Sequence, residues 1–131
     1  MIGVDTNILV RYLTQDDPTQ ARRVDAVLAE AFDENDNVYV DHVVLCELVW
    51  VLDTRYHYEK SEVISALDDL FDTVLFEFED RSLLRGALDA YRNGSADFSD
   101  YVIGLRNARA GCDHTVTFDR ALKAHPSFTL L

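Results

Sequence analysis

Four acidic residues stand where the hydrophobic pattern predicts either burial or the carboxyl end of a strand: Asp5, Glu47, Asp100 and Asp119. Asp5 directly follows the extended run Ile2-Gly3-Val4, and Asp119 follows Thr115-Val116-Thr117-Phe118; from such places a side chain projects into the crevice above a parallel sheet. Asp100 shares a helix start with Asp97, three residues earlier and therefore on a neighbouring position of the same face. Glu47 lies in Val43 to Leu52, where nine of ten residues are apolar. That helix is expected to be buried nearly all round, and a carboxylate inside it needs a partner to offset its desolvation. Each acid also has a purely structural reading. Asp5 and Asp119 suit N-caps, Asp97 with Asp100 suits a capping box, and Glu47 could be neutralised by Arg11 or Arg106. Taken together, three or four converging carboxylates would repel one another and raise some of their pKa values unless a divalent cation joined them. A donor set made only of oxygen suits Mg²⁺ or Mn²⁺.

The elements that must hold these acids follow from periodicity. A strand at 2–4 leads into a short helix at 7–13, and Asp16-Asp17-Pro18 opens a second helix with Ala21, Val24, Val27, Leu28 and Ala31 on one face. Val38-Tyr39-Val40 is a strand, and Asp41 caps a long apolar helix from His42 to Tyr56. A further helix begins at Ser61, and 74–76 with Phe78 forms a third strand. Leu84, Ala87, Leu88 and Tyr91 mark a helix closed by Asn93-Gly94, where left-handed φ suits a C-terminus. Another helix runs from Asp97 to Ala110 and ends at Gly111. A strand at 114–117, a short helix at 119–124 and an edge strand at 128–130 complete the chain. Strands separated by helices throughout imply an α/β fold with a mainly parallel sheet covered on both faces.

Composition bounds the rest. At 131 residues the chain is expected to be one domain spanning 1–131, since domains run to about 100–200 residues. A net charge of −12 disfavours generic binding to a phosphate backbone, which depends on clustered cations. Cys46 and Cys112 lack any paired spacing and read as reduced core thiols, which suits the cytoplasm. His42, His57, His114 and His125 are scattered and read as surface or strand-end residues without zinc spacing. No nucleophile elbow, phosphate loop or dinucleotide fingerprint occurs. No signal peptide is expected at the N-terminus, and the longest apolar window is far too short to span a bilayer.

Four segments in register with these elements carry a resemblance: 1–9 (Met-Ile-Gly-Val-Asp-Thr-Asn-Ile-Leu), 44–52 (Val-Leu-Cys-Glu-Leu-Val-Trp-Val-Leu), 96–103 (Ala-Asp-Phe-Ser-Asp-Tyr-Val-Ile) and 115–119 (Thr-Val-Thr-Phe-Asp). The chain resembles PIN-domain ribonucleases, in particular the VapC toxins of type II toxin–antitoxin systems. The resemblance implies a PIN-like α/β/α sandwich with a central, mainly parallel sheet of about five strands flanked by helices. It implies metal-dependent hydrolysis of RNA phosphodiesters, with Asp5, Glu47, Asp100 and Asp119 as the catalytic acids and ligands of Mg²⁺ or Mn²⁺. Asn7, Asp97 and Thr117 would support them, and Arg11, Arg106 and Arg109 are candidates for gripping RNA, with surface salt bridges as their plainer reading. It further implies a tRNA or rRNA substrate, a homodimer, a VapB-type antitoxin in a hetero-oligomer, no membrane association and a cytoplasmic location. An apolar groove for the antitoxin could involve Leu13, Trp50, Leu52 and Tyr56. The competing readings are a PIN module that binds protein or RNA without cleaving, and a PIN nuclease of RNA processing outside toxin–antitoxin biology.

Overall fold

A computed structural model describes residues 1–131, which divide into two compact units, 1–81 and 82–131. In the first, β1 (Ile2–Gly3), β2 (Val38–Val40) and β3 (Phe76–Phe78) form a parallel sheet in the order β1-β2-β3, with Ile2 opposite Val38 and Val38 opposite Phe76. The intervening helices are α1 (Thr6–Thr14), α2 (Pro18–Asp33), α3 (His42–Thr54) and α4 (Lys60–Asp72). Side-chain caps start three of them: Asp5 accepts from the Ile8 N–H, Asp17 from Gln20 and Asp41 from Val44. The fourth begins at a Glu59/Glu62 capping box, slightly before the expected Ser61. Leu9, Val38, Val40, Leu45, Leu48, Leu52, Leu67, Phe71 and Phe76 are fully buried and make this unit's core. The Arg81 guanidinium closes it from the side, donating to the Phe71 and Phe76 carbonyls while lying 5.0 Å over the Phe78 ring.

The second unit holds α5 (Arg81–Asn93) past its first residue, α6 (Phe98–Arg109), β4 (Thr115–Thr117), a 3₁₀ turn (Arg120–Leu122) and β5 (Phe128–Leu130). β4 and β5 pair in parallel, Thr115 opposite Phe128. Five strands are therefore present and every pairing is parallel, as expected; they hydrogen-bond in groups of three and two. Leu84, Ala87, Leu88, Phe98, Tyr101, Val102 and Leu122 form the core of this unit, with Tyr91 meeting Phe98 edge-on.

Several local expectations are corrected. The third strand starts at Phe76 and not Val74, because the Phe76 N–H donates to the Thr73 carbonyl in a turn that leaves Val74 exposed. Gly94 does not end its helix in left-handed φ; its role is space, since a Cβ there would lie 2.0 Å from the Tyr101 hydroxyl. Gly111 does take φ +100° and stops α6 as expected. Cys112 is exposed and Cys46 only partly buried, so neither is a core residue, although neither forms a disulfide. His42 is buried, because the sequence places it at the first turn of α3 beneath the Glu79 carboxylate, whose Oε1 accepts the His42 N–H at 3.1 Å. No helix is long and apolar enough to cross a membrane.

Candidate active site

The parallel register of the first unit aligns the carboxyl ends of β1, β2 and β3, so the acids that follow them stand along one rim. These are Asp5, Asp41 and Glu79, tied to the sheet by Val4 N–H donating to Tyr39 O (3.2 Å) and Glu79 N–H to Val40 O (3.1 Å). Asp5 is exposed and extended, and its Oδ1 accepts from the Ile8 N–H at 3.2 Å. Asp5, Asn7 and Arg11 line a groove of about 550 Å³ together with Gln20 and Arg23 of α2. Arg23, Gln20 and Glu79 are additions that sequence reasoning missed. For Glu79 the available signal was its place directly after the Phe76-Glu77-Phe78 alternation.

Arg11 is held in a polar network. Its Nε donates to Gln20 Oε1 at 2.7 Å, and its Nη1 to Asp16 Oδ1 and to the Tyr56 hydroxyl at 3.2 Å each. The Tyr56 hydroxyl in turn donates to Asp16 Oδ2 at 2.8 Å. Hydrogen bonds from Tyr56 and Thr14, and then the charge of Arg11, hold the Asp16 carboxyl below the usual carboxylate range. The salt-bridged reading of Arg11 is thus realised, with Asp16 and not Glu47 as its partner.

Glu47 differs most from expectation. Leu45, Leu48 and Leu52 of α3 have no exposure, whereas Val43 (66%), Glu47 and Trp50 (56%) face solvent. Positions i, i+4 and i+7 make one stripe, so the helix is amphipathic in burial although nearly uniform in composition. The Glu47 carboxylate lies in water and needs no compensating cation. Of the suggested antitoxin groove, Trp50 is exposed, Leu13 and Tyr56 are half-buried and Leu52 belongs to the core.

In the second unit the remaining acids gather. Asp97 is the N-cap of α6, and Asp100 completes a capping box, its Oδ2 accepting the Asp97 N–H at 3.2 Å. At the end of β4, Thr117 Oγ1 accepts the Asp119 N–H at 3.0 Å while Asp119 Oδ1 accepts from Ala121 N–H at 2.9 Å. Partial burial pushes the Asp100 carboxyl above its ordinary range, and the like charges of Asp97 and Asp119 push it further, against the opposing hydrogen bond from the Asp97 backbone. Arg106 and Arg109 lie in the last turn of α6, roughly 9 and 13 Å along the axis from Asp100. Arg109 there borders a small cavity of about 300 Å³ with Ser82, Leu83 and Leu105.

The capping and ligand readings of these acids are compatible, because a carboxylate has two oxygens. The caps use Oδ1 of Asp5, Oδ2 of Asp100 and Oδ1 of Asp119, and each leaves the second oxygen outside the cap. Such an arrangement fixes a hard donor's direction, and the donor chemistry fits Mg²⁺ or Mn²⁺. Neither unit by itself gathers three or more acidic, His or Cys side chains into a group that could hold a metal ion.

Comparison with known proteins adds a separate line. The PIN domain family matches residues 2–126. The chain is also 22% identical over 120 residues to a VapC ribonuclease of Aquifex aeolicus (strain VF5), an alignment that covers 92% of this chain and 88% of that protein. Asp5, Glu47, Asp97, Asp100 and Asp119 all fall inside the matched span, and the parallel strands carry the first and last of them where such a fold presents its side chains. The chain belongs to the PIN-domain family.

Proposed function

We propose that the chain is a metal-dependent endoribonuclease of the VapC type, the toxin of a toxin–antitoxin pair, in which the two units act as a single domain. The observation that carries this reading is the Asp97/Asp100/Asp119 neighbourhood, where the α6 capping box and the turn after β4 set Asp97 and Asp119 near enough to the partly buried Asp100 carboxyl to act on its charge. The family match over both units and the likeness to a VapC ribonuclease support it.

Asp5, Glu47, Asp100 and Asp119 would hold Mg²⁺ or Mn²⁺. When bound, such an ion supplies the positive charge that favours water ionisation and offsets charge on the phosphodiester. The chain's own groups set the geometry. Helix caps lock the directions of Asp5 and Asp119, the Thr117 hydroxyl fixes the turn that presents Asp119, and Asp97 restrains Asp100 through the capping box. Asn7, in the first turn of α1 and on the same groove as Asp5, would orient water or phosphate. Arg11 would grip the flanking backbone, rigidly because Gln20, Asp16 and Tyr56 pre-order it; Arg106 and Arg109 would act farther along the RNA. The substrate class follows the VapC likeness, tRNA or rRNA, with a VapB-type antitoxin, a homodimer and a hetero-oligomer in the cytoplasm.

Purified chain should cleave RNA in Mg²⁺ and stop in EDTA, and Asp5→Asn and Glu47→Gln should abolish cleavage with circular dichroism unchanged. Full cleavage by either variant would overturn the site. Expression should arrest growth, and a small upstream reading frame for a DNA-binding partner should relieve it; without that frame the reading reverts to RNA processing.

A further inference from the structure

We propose that Trp50 is a stacking platform for an unpaired base of the RNA substrate, a specificity-determining contact beside Glu47; this rests on the nuclease reading above. Trp50 is the chain's single tryptophan and is 56% exposed, although α3 offers a fully buried face on Leu45, Leu48 and Leu52. It follows Glu47 by three residues, and both lie on the solvent stripe of α3, so the indole stands one helical turn from a proposed ligand acid. The Arg55 guanidinium lies over the ring at 5.9 Å from its centroid, placing a cation beside an aromatic surface otherwise flanked by Glu47 and Asp53.

The argument for RNA as occupant is electrostatic. A chain of net charge −12 with acids on either side of Trp50 gains little from phosphate contacts, and a base is the uncharged part of the substrate. Stacking on an indole is indifferent to net charge and to base identity, because every base presents a π-face. Arg55 adds a local positive charge that favours a nucleotide, with its phosphate and π-face, over a purely apolar or a basic partner. Placement beside Glu47 would set which nucleotide, counted from the scissile bond, must be unpaired, and so select loops over duplex.

The test uses the whole chain and its intrinsic fluorescence, which reports Trp50 alone. Titrating the cleavage-dead Asp5→Asn variant with short single-stranded oligoadenylate or oligouridylate should quench the emission saturably. The salt dependence should be shallow, because few phosphates are contacted. In the otherwise native chain, Trp50→Ala should raise KM roughly 5- to 150-fold with kcat little changed, the range expected for losing one stacked base. Trp50→Phe should restore most of it. A native KM in Trp50→Ala, or no quenching by either oligonucleotide, overturns the proposal. Emission that shifts with protein concentration alone, and not with RNA, overturns it in favour of a second copy of the chain as occupant. If the native chain cleaves no RNA, the nuclease reading fails, and the quenching experiment still decides whether the indole stacks on bases.

Discussion

Gly94→Ala probes how the second unit places its acids. Gly94 lies between α5 and α6, three residues before the Asp97 cap. An added Cβ would lie 2.0 Å from the Tyr101 hydroxyl oxygen, 3.0 Å from Tyr101 Cζ and 2.9 Å from the Ala90 carbonyl oxygen. Tyr101 has 2% exposure, its ring sits 5.5 Å from that of His125, and its hydroxyl accepts the Ala96 N–H at 3.2 Å. It must retreat by more than an ångström into a filled core, at about 1–3 kcal/mol for overpacking. The same movement orphans the buried Ala96 N–H, for about another 1–3 kcal/mol. Alanine's stiffer unfolded chain returns only about 0.4–1 kcal/mol. The net expectation is a loss near 3 kcal/mol, within a range of about 1–5. Tyr101→Phe should by itself cost about 1–3 kcal/mol, because it leaves the same buried Ala96 N–H without its acceptor. In the double variant the closest obstacle is gone, so its loss should be smaller than the sum of the single losses by at least about 1 kcal/mol. The carbonyl of Ala90 keeps the recovery partial. Urea denaturation at constant m-value reads all three. A Gly94→Ala protein as stable as the native one, or strict additivity with Tyr101→Phe, would refute the close-approach explanation.

Two further outcomes follow from the same unit. Asp119→Asn keeps a capping side chain but removes a like charge from Asp100, so the Asp100 titration followed by carboxyl NMR should move down towards its ordinary value while burial still holds it above. Because the folded-state pKa of Asp100 is raised, its unfavourable contribution develops as pH climbs from the unfolded value through the folded one and is fully present above it. The gain in stability from Asp119→Asn should therefore appear at neutral pH and vanish in acid, and a gain that persists in acid would contradict the assignment. Gly111→Ala, at φ +100° with open space around it, should lose roughly 1–2 kcal/mol through backbone strain alone; a neutral result in thermal melts would mean the α6 terminus relaxes freely.

The sequence was informative where a local rule decides the outcome. Asp5, Asp17, Asp41, Asp97 and Asp119 cap helices as their types and positions imply, because a cap depends only on a short side chain and the next few amides. The strands at 38–40 and 128–130, the α2 face apart from Val27, which is exposed, and the stop at Gly111 were legible for the same reason. Asp5, Asp100 and Asp119 could be singled out from their places after strands and in a helix first turn, and Glu47 from its place inside an apolar run. What each acid experiences was not legible. Glu47 lies in a run so apolar that its helix has almost no compositional face, and only packing reveals that Val43 and Trp50 share the solvent stripe with it. Gly94 carries the same letter as a left-handed cap, and only the approach of Tyr101 from the next helix shows that volume, not φ, selects glycine there. The hydrogen bond from Arg11 to Tyr56, and the upward push that Asp119 exerts on Asp100, join residues far apart in the chain. Capping and turn chemistry act over a few residues and can be read along the chain, whereas burial and charge act through space, so the electrostatic character of the site waits on tertiary packing.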